Sequence, residues 1–210
     1  MVLVALSFAA TLIPEADARL WIVDVAYTVL LGFAVTSVRG RLRIATVLLA
    51  LPALIGHWSL RADAPPVPRL LVFCFTAAFL AFLTLVMLWV VLREQVVTVD
   101  TLIGAVCAYF LIGVTFGTTY AIVGLTTPNA FDVSPALAAA ADWHPPASPL
   151  SPLLQYYSFA TLSTLGYGDM SPVSPAARSL SVLEGLAGPL YLAVLITRLV
   201  GMHTARSSRR

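Results

Sequence analysis

The stretch Thr164-Leu165-Gly166-Tyr167-Gly168-Asp169 carries the residue types and spacing that can do chemistry in this chain. That chemistry is coordination of a dehydrated monovalent cation, with potassium as the fitting example. An ion stripped of water needs a cage of oxygens, and backbone carbonyls can supply it. Carbonyls of successive residues face one axis only if backbone handedness alternates along the strand. Gly166 and Gly168 accept the left-handed conformations this needs, because they lack a Cβ. The Thr164 hydroxyl adds one more oxygen at the inner end. Tyr167 would point away from the ions, with its ring bracing the strand from behind. One strand makes a quarter of such a cage, so four copies must meet on an axis.

Several elements must hold that strand. Ser151-Pro152 reads as a helix start, with Ser as the cap and Pro in the first turn. A pore helix is expected over 152–163, ending at the strand 164–168. The negative end of its dipole then favours a cation. A half-helix of this kind is tolerated at membrane depth only when protein surrounds it. A long apolar run flanks the strand on each side.

The chain has 210 residues, of which 60% are hydrophobic and 10% charged. Soluble domains carry roughly 25% charged residues. With a mean hydropathy of +0.92, the chain reads as a polytopic membrane protein. All 12 basic residues are Arg and they are dispersed, so nothing indicates a nucleic-acid surface. Cys74 and Cys107 lie inside apolar runs and read as packing residues. Spanning helices are expected near 20–38, 42–58, 69–92, 99–124 and 179–203. Residues 1–13 form a further apolar piece. It is either a short membrane helix or a signal peptide cleaved near Ala16-Asp17-Ala18.

A filter strand belongs near the outer face, so the helix at 99–124 starts inside. Counting back puts eight Arg inside and four outside, in agreement with the positive-inside rule. The expected location is the cell (inner) membrane, multi-pass, with both termini cytoplasmic if the first helix spans. Residues 126–151 would form an extracellular turret, whose Asp132 and Asp142 read as solvated charges. Two units follow: N-terminal membrane helices over 1–95 and a pore unit over 96–210.

On these residues, roughly 99–203, the chain resembles the prokaryotic members of the tetrameric P-loop potassium channels. The resemblance implies an all-α polytopic membrane protein with a helix–pore loop–helix domain. Three or four transmembrane helices precede that domain, and four identical chains make the pore. It implies potassium-coordinating oxygens from Thr164, Leu165, Gly166 and Tyr167, with Gly168 completing the strand and Asp169 at the outer mouth. Tyr156 and Tyr157 match paired aromatics that hold the filter tyrosine. Ala160 stands where some relatives carry a bracing Glu. The implied partners are potassium ions, three further copies and the bilayer. No organic cofactor and no enzymatic activity are expected. The alternatives are a weakly selective cation channel and a non-conducting auxiliary membrane subunit. Asp or Asn at position 167 would indicate the former, and this chain has Tyr.

Glu184 lies in the inner helix, where a bare carboxylate is costly. It is expected to bond to the back of the pore helix, through Thr161 or Ser158. Gly188, followed by Pro189, matches the family's hinge glycine and marks either a gating hinge or a fixed bend. Leu192, Leu195, Ile196 and Leu199 would make the lower pore apolar. A voltage sensor needs Arg or Lys at every third position of a spanning helix. The run at 70–92 has none, so strong voltage gating is not expected. Asp24 is expected to pair with Arg61, Arg69 or water, and His57 reads as a lone interfacial residue. Gly113 and Gly117 are spaced for close helix packing.

Overall fold

The computed structural model describes residues 41–59, 65–94, 98–141 and 151–207, with the isolated residues 25, 28, 29 and 32. The expectations for residues 1–19, for the span at 20–38 apart from those four isolated residues, and for Asp24, Arg61, Asp142 and the side chain of His57 lie outside the described residues. The helices are α1 (Arg41–Ser59), α2 (Pro66–Arg93), α3 (Val99–Thr126), α4 (Pro135–Ala141), α5 (Pro152–Leu162) and α6 (Pro175–Ser207). Two short strands, β1 (Phe131–Val133) and β2 (Met170–Pro172), complete the order.

Among the described residues, three helices are long and apolar enough to cross a membrane: α2, α3 and the Pro175–Gly201 portion of α6. The chain therefore reads as a membrane protein. The expected span at 42–58 is a helix, α1.

Local chemistry sets the helix ends. Pro66 at the head of α2 gives up an N–H that no helix turn would use. Thr98 caps α3 through a reciprocal box. Its hydroxyl accepts from the Thr101 N–H at 3.2 Å, and its own N–H donates to the Thr101 hydroxyl at 3.4 Å. α6 starts at Pro175, four residues before the expected 179, because the Ser174 hydroxyl accepts from the Ala177 N–H at 3.2 Å. α5 starts at Pro152 as expected, but the Ser151 side chain makes no capping bond. Threonines inside the apolar helices turn their hydroxyls back to carbonyls one turn earlier. Thr84 bonds Leu80 at 2.8 Å and Thr115 bonds Leu111 at 2.7 Å, and the two hydroxyls meet at 3.0 Å between α2 and α3.

The region expected as a plain turret folds back on the strand's exit. β1 pairs antiparallel with β2, in the register Phe131↔Pro172, Asp132↔Ser171 and Val133↔Met170. Beneath this pair sits the main core, where Tyr120 of α3, Phe131 of β1 and Tyr157 of α5 meet edge to face. Their centroids are 5.0–5.7 Å apart, the favoured aromatic geometry. A second cluster of Ala50, Phe79 and Leu80 joins α1 to α2.

Close approach explains two of the glycines of α3. A Cβ on Gly113 would sit 2.5 Å from the Phe159 ring, and one on Gly117 would sit 2.6 Å from the Gln155 amide. The pair forms the groove that receives α5. Of the two cysteines, Cys107 is half-buried, whereas Cys74 is exposed on α2 and does not pack in the interior.

Candidate functional site

The strand after α5 alternates in handedness. Thr164, Gly166 and Gly168 have φ of 62°, 53° and 79°, while Leu165 and Tyr167 stay at negative φ. Alternation of this kind turns successive N–H groups to one side and successive carbonyls to the other. Such a segment can hold an anion on its N–H side or a cation on its carbonyl side. The hydrogen bonds decide between them. The Thr164 N–H donates to Thr161 O at 3.0 Å, and the Leu165 and Gly166 N–H groups donate to Ala160 O at 2.9 and 3.1 Å. The first N–H groups of the strand are thus consumed by the end of α5. Among the described residues no carbonyl from Thr164 to Gly168 accepts a bond from the chain, and all five residues are exposed. The arrangement presents oxygens, and it suits a cation.

Thr164 is the position that residue type did not foretell. A β-branched residue at positive φ is an outlier and costs on the order of 1–3 kcal/mol. The turn formed by its own N–H bond holds it there.

The C-terminal end of the strand is tied to α5. The Tyr156 hydroxyl donates to Asp169 Oδ2 at 2.6 Å. Its ring lies parallel to Tyr167, with centroids 6.4 Å apart and planes 7° from parallel. Burial, and then the bond to Asp169, push the Tyr156 phenol up to about 12, so it remains a donor at neutral pH. Tyr157 does not reach Tyr167 within the chain. Its hydroxyl meets Ser181 Oγ at 2.6 Å, on the far side of α5.

Glu184 is fully buried and reaches the back of α5. The Ser158 hydroxyl makes a very short contact to Glu184 Oε1, and the Tyr120 hydroxyl donates to Oε2 at 2.7 Å. Ser158 also lies 2.7 Å from Gly113 O. Of the two expected partners, Ser158 is the one used. Thr161 instead bonds back to Tyr157 O at 2.9 Å. Gly188 meets the same helix at its end, where a Cβ would stand 2.1 Å from Leu162 O. The Tyr109 hydroxyl donates to that same carbonyl at 3.3 Å. Close packing alone thus gives Gly188 a reason to be glycine.

Sequence reasoning missed Tyr109, Tyr120, Ser181 and Tyr191. Tyr191 donates to Ala105 O at 2.7 Å. A signal for Ser181 and Tyr191 existed in α6. Ser181, Glu184, Gly188, Tyr191 and Arg198 lie three, four, three and seven residues apart, which is one face of a helix. Every member of that face contacts α2, α3 or α5.

Residues 153–204, about a quarter of the chain, match a family model described as an ion channel. The match points to a channel and not to an enzyme. It runs from the first turn of α5 through the strand and nearly all of α6. No curated protein and no solved structure matches the chain.

Proposed function

We propose that the chain is a potassium-selective channel subunit, four copies of which surround a pore lined at its narrowest by Thr164, Leu165, Gly166, Tyr167 and Gly168. One observation carries this reading: alternating handedness at 164, 166 and 168 leaves consecutive carbonyls free, while the neighbouring N–H groups are bonded away. Free carbonyls in an apolar membrane protein need a partner, and a dehydrated cation is one. The Thr164 hydroxyl supplies the innermost oxygen. Tyr156, through Asp169 and Tyr167, steadies the outer end. Glu184 steadies the helix behind it, in place of the carboxylate missing at Ala160. Conduction is passive, with no covalent step and no cofactor.

The test is the reversal potential of the purified protein in a planar bilayer, with potassium on one side and sodium on the other. Reversal near the potassium equilibrium potential supports the proposal. A clear current reversing near zero would refute selectivity and leave a weakly selective cation channel. Silence under every condition would favour the non-conducting subunit.

A further inference from the structure

We propose that Arg198 is a positioning residue for the pore, tying the cytoplasmic half of α6 to the end of α2 and thereby favouring the conducting arrangement. The inference rests on the channel reading above.

The Arg198 guanidinium donates to two carbonyls of another helix end, Val91 O at 2.8 Å and Glu94 O at a very short distance. α2 ends at Arg93, so carbonyls here have no further helix turn to bond. A cation also suits the negative end of that helix. Two donors from one planar group fix both position and orientation, which an ammonium cannot do.

The place of the tie in the fold gives it consequence. α2 packs mainly on α1 and α3, whereas α6 packs on α3, α5 and β2. Arg198 therefore reaches past α3 and links the peripheral helices directly to the inner one. Above it, Pro189 has no N–H for the carbonyl of Gly185, so the helix bends more readily at that point. Below Pro189, Tyr191 ties α6 to α3 and Arg198 ties it to α2. Both lie on the face that meets the rest of the chain. Val182, Leu186 and Val200 lie on the opposite, exposed face, which is left for the pore axis and neighbouring copies. Pull toward α2 is therefore pull away from the axis.

The experiment uses the full chain in planar bilayers, comparing wild type with Arg198→Gln and Arg198→Lys. Single-channel records give the open-to-closed ratio, the unit conductance and the reversal potential. Loss of a charge-assisted pair of bonds in Arg198→Gln should lower the ratio about tenfold. Arg198→Lys, which keeps the charge and loses the fork, should fall between that variant and wild type. Conductance and reversal potential should not change in either. An unchanged or raised open-to-closed ratio overturns the proposal. So does a joint loss of conductance, selectivity and opening, which would mean that Arg198 only holds the fold. Wild type without potassium-selective current would refute the channel reading itself, and this inference with it.

Discussion

Replacing Glu184 gives two outcomes that the network around it separates. Five close contacts run through the cluster: Ser158 to Gly113 O, Ser158 to Glu184, Tyr120 to Glu184, Tyr157 to Ser181, and Ser181 to Ala177 O. Ser158, Tyr120, Tyr157 and Ser181 bring one hydroxyl proton each. All five contacts can be bonded at once only if position 184 itself contributes a donor. Glutamine has one, in an amide of nearly the same shape. Glu184→Gln lets Ser158 donate to Gly113 O while accepting from the amide N–H, and Tyr120 still donates to the amide oxygen. The expected change is below about 1 kcal/mol per chain. Glu184→Ala strands the Tyr120 hydroxyl, whose next neighbour, Ser181, is at 3.4 Å. An orphaned buried donor costs about 1–3 kcal/mol. The void behind α5 adds on the order of 1–2 kcal/mol. The sum is about 2–5 kcal/mol, or at least about thirtyfold in an equilibrium that holds α5 in place.

Two assays read this: thermal unfolding of the detergent-solubilised protein, and the potassium-to-sodium permeability ratio in bilayers. Glu184→Gln should match wild type in both. Glu184→Ala should melt earlier and lose selectivity. The reasoning fails if Gln is as damaging as Ala, since an amide satisfies every contact described. It also fails if Ala is silent in both assays.

The remaining expectations are narrower. Gly166→Ala meets no atom within 4 Å, so its penalty is conformational, about 1–2 kcal/mol at φ 53°; selective current should be lost from a protein that still folds and purifies. Gly188→Ala should abolish current or folding, because its Cβ would overlap Leu162 O, whereas Pro189→Ala should conduct; current in both would remove the packing role of Gly188. Tyr156→Phe keeps the stack on Tyr167 and deletes the bond to Asp169, a loss of about 1.5–3 kcal/mol. Current through that variant should decay faster during sustained opening. The difference from wild type should not vary from about pH 7 to 9, since the phenol stays protonated up to about 12. With Cys74 and Cys107 first replaced by Ala, a cytoplasmic thiol reagent should block Ile196→Cys and spare Leu195→Cys; the reverse pattern would refute the assigned rotation of α6.

What could be read from the sequence followed from how local its cause was. The starts at Val99 of α3 and Pro152 of α5 agree with the expected 99 and 152, whereas α2 starts at Pro66, three residues before the expected 69, because a proline fits the first turn of a helix. Glu184 was legible as an odd carboxylate in an apolar run, and its contact with Ser158 agrees with the expectation. Its second partner was not legible, because Tyr120 lies 64 residues away and an apolar helix offers many tyrosines and threonines. The pairing of β1 with β2 escaped for a similar reason. Three-residue strands carry no readable alternation, and what aligns them is the bond from Ser134 N–H to Asp169 O, made in the folded chain. Tyr157 was expected beside Tyr167 on the strength of resemblance. Within the chain its hydroxyl is taken by Ser181.

The face of α6 that carries Ser181, Glu184, Gly188, Tyr191 and Arg198 also sets which residues face elsewhere. A helix tied near its N-terminal end by Glu184, at mid-length by Gly188 and Tyr191, and near its C-terminal end by Arg198 has one rotational setting. Sequence alone left Leu192, Leu195, Ile196 and Leu199 as equal candidates for an apolar constriction. In that setting Leu195 falls between Tyr191 and Arg198 and is half-buried, as is Leu199. Leu192 and Ile196 remain exposed, at 42% and 60%. The ties that brace the back of α5 are therefore the ones that aim the lower half of the inner helix. In the proposed channel, a substitution on that face would act on the filter through α5 and on the lower pore through rotation. The two effects separate only at the ends of the face, at Glu184 above and Arg198 below.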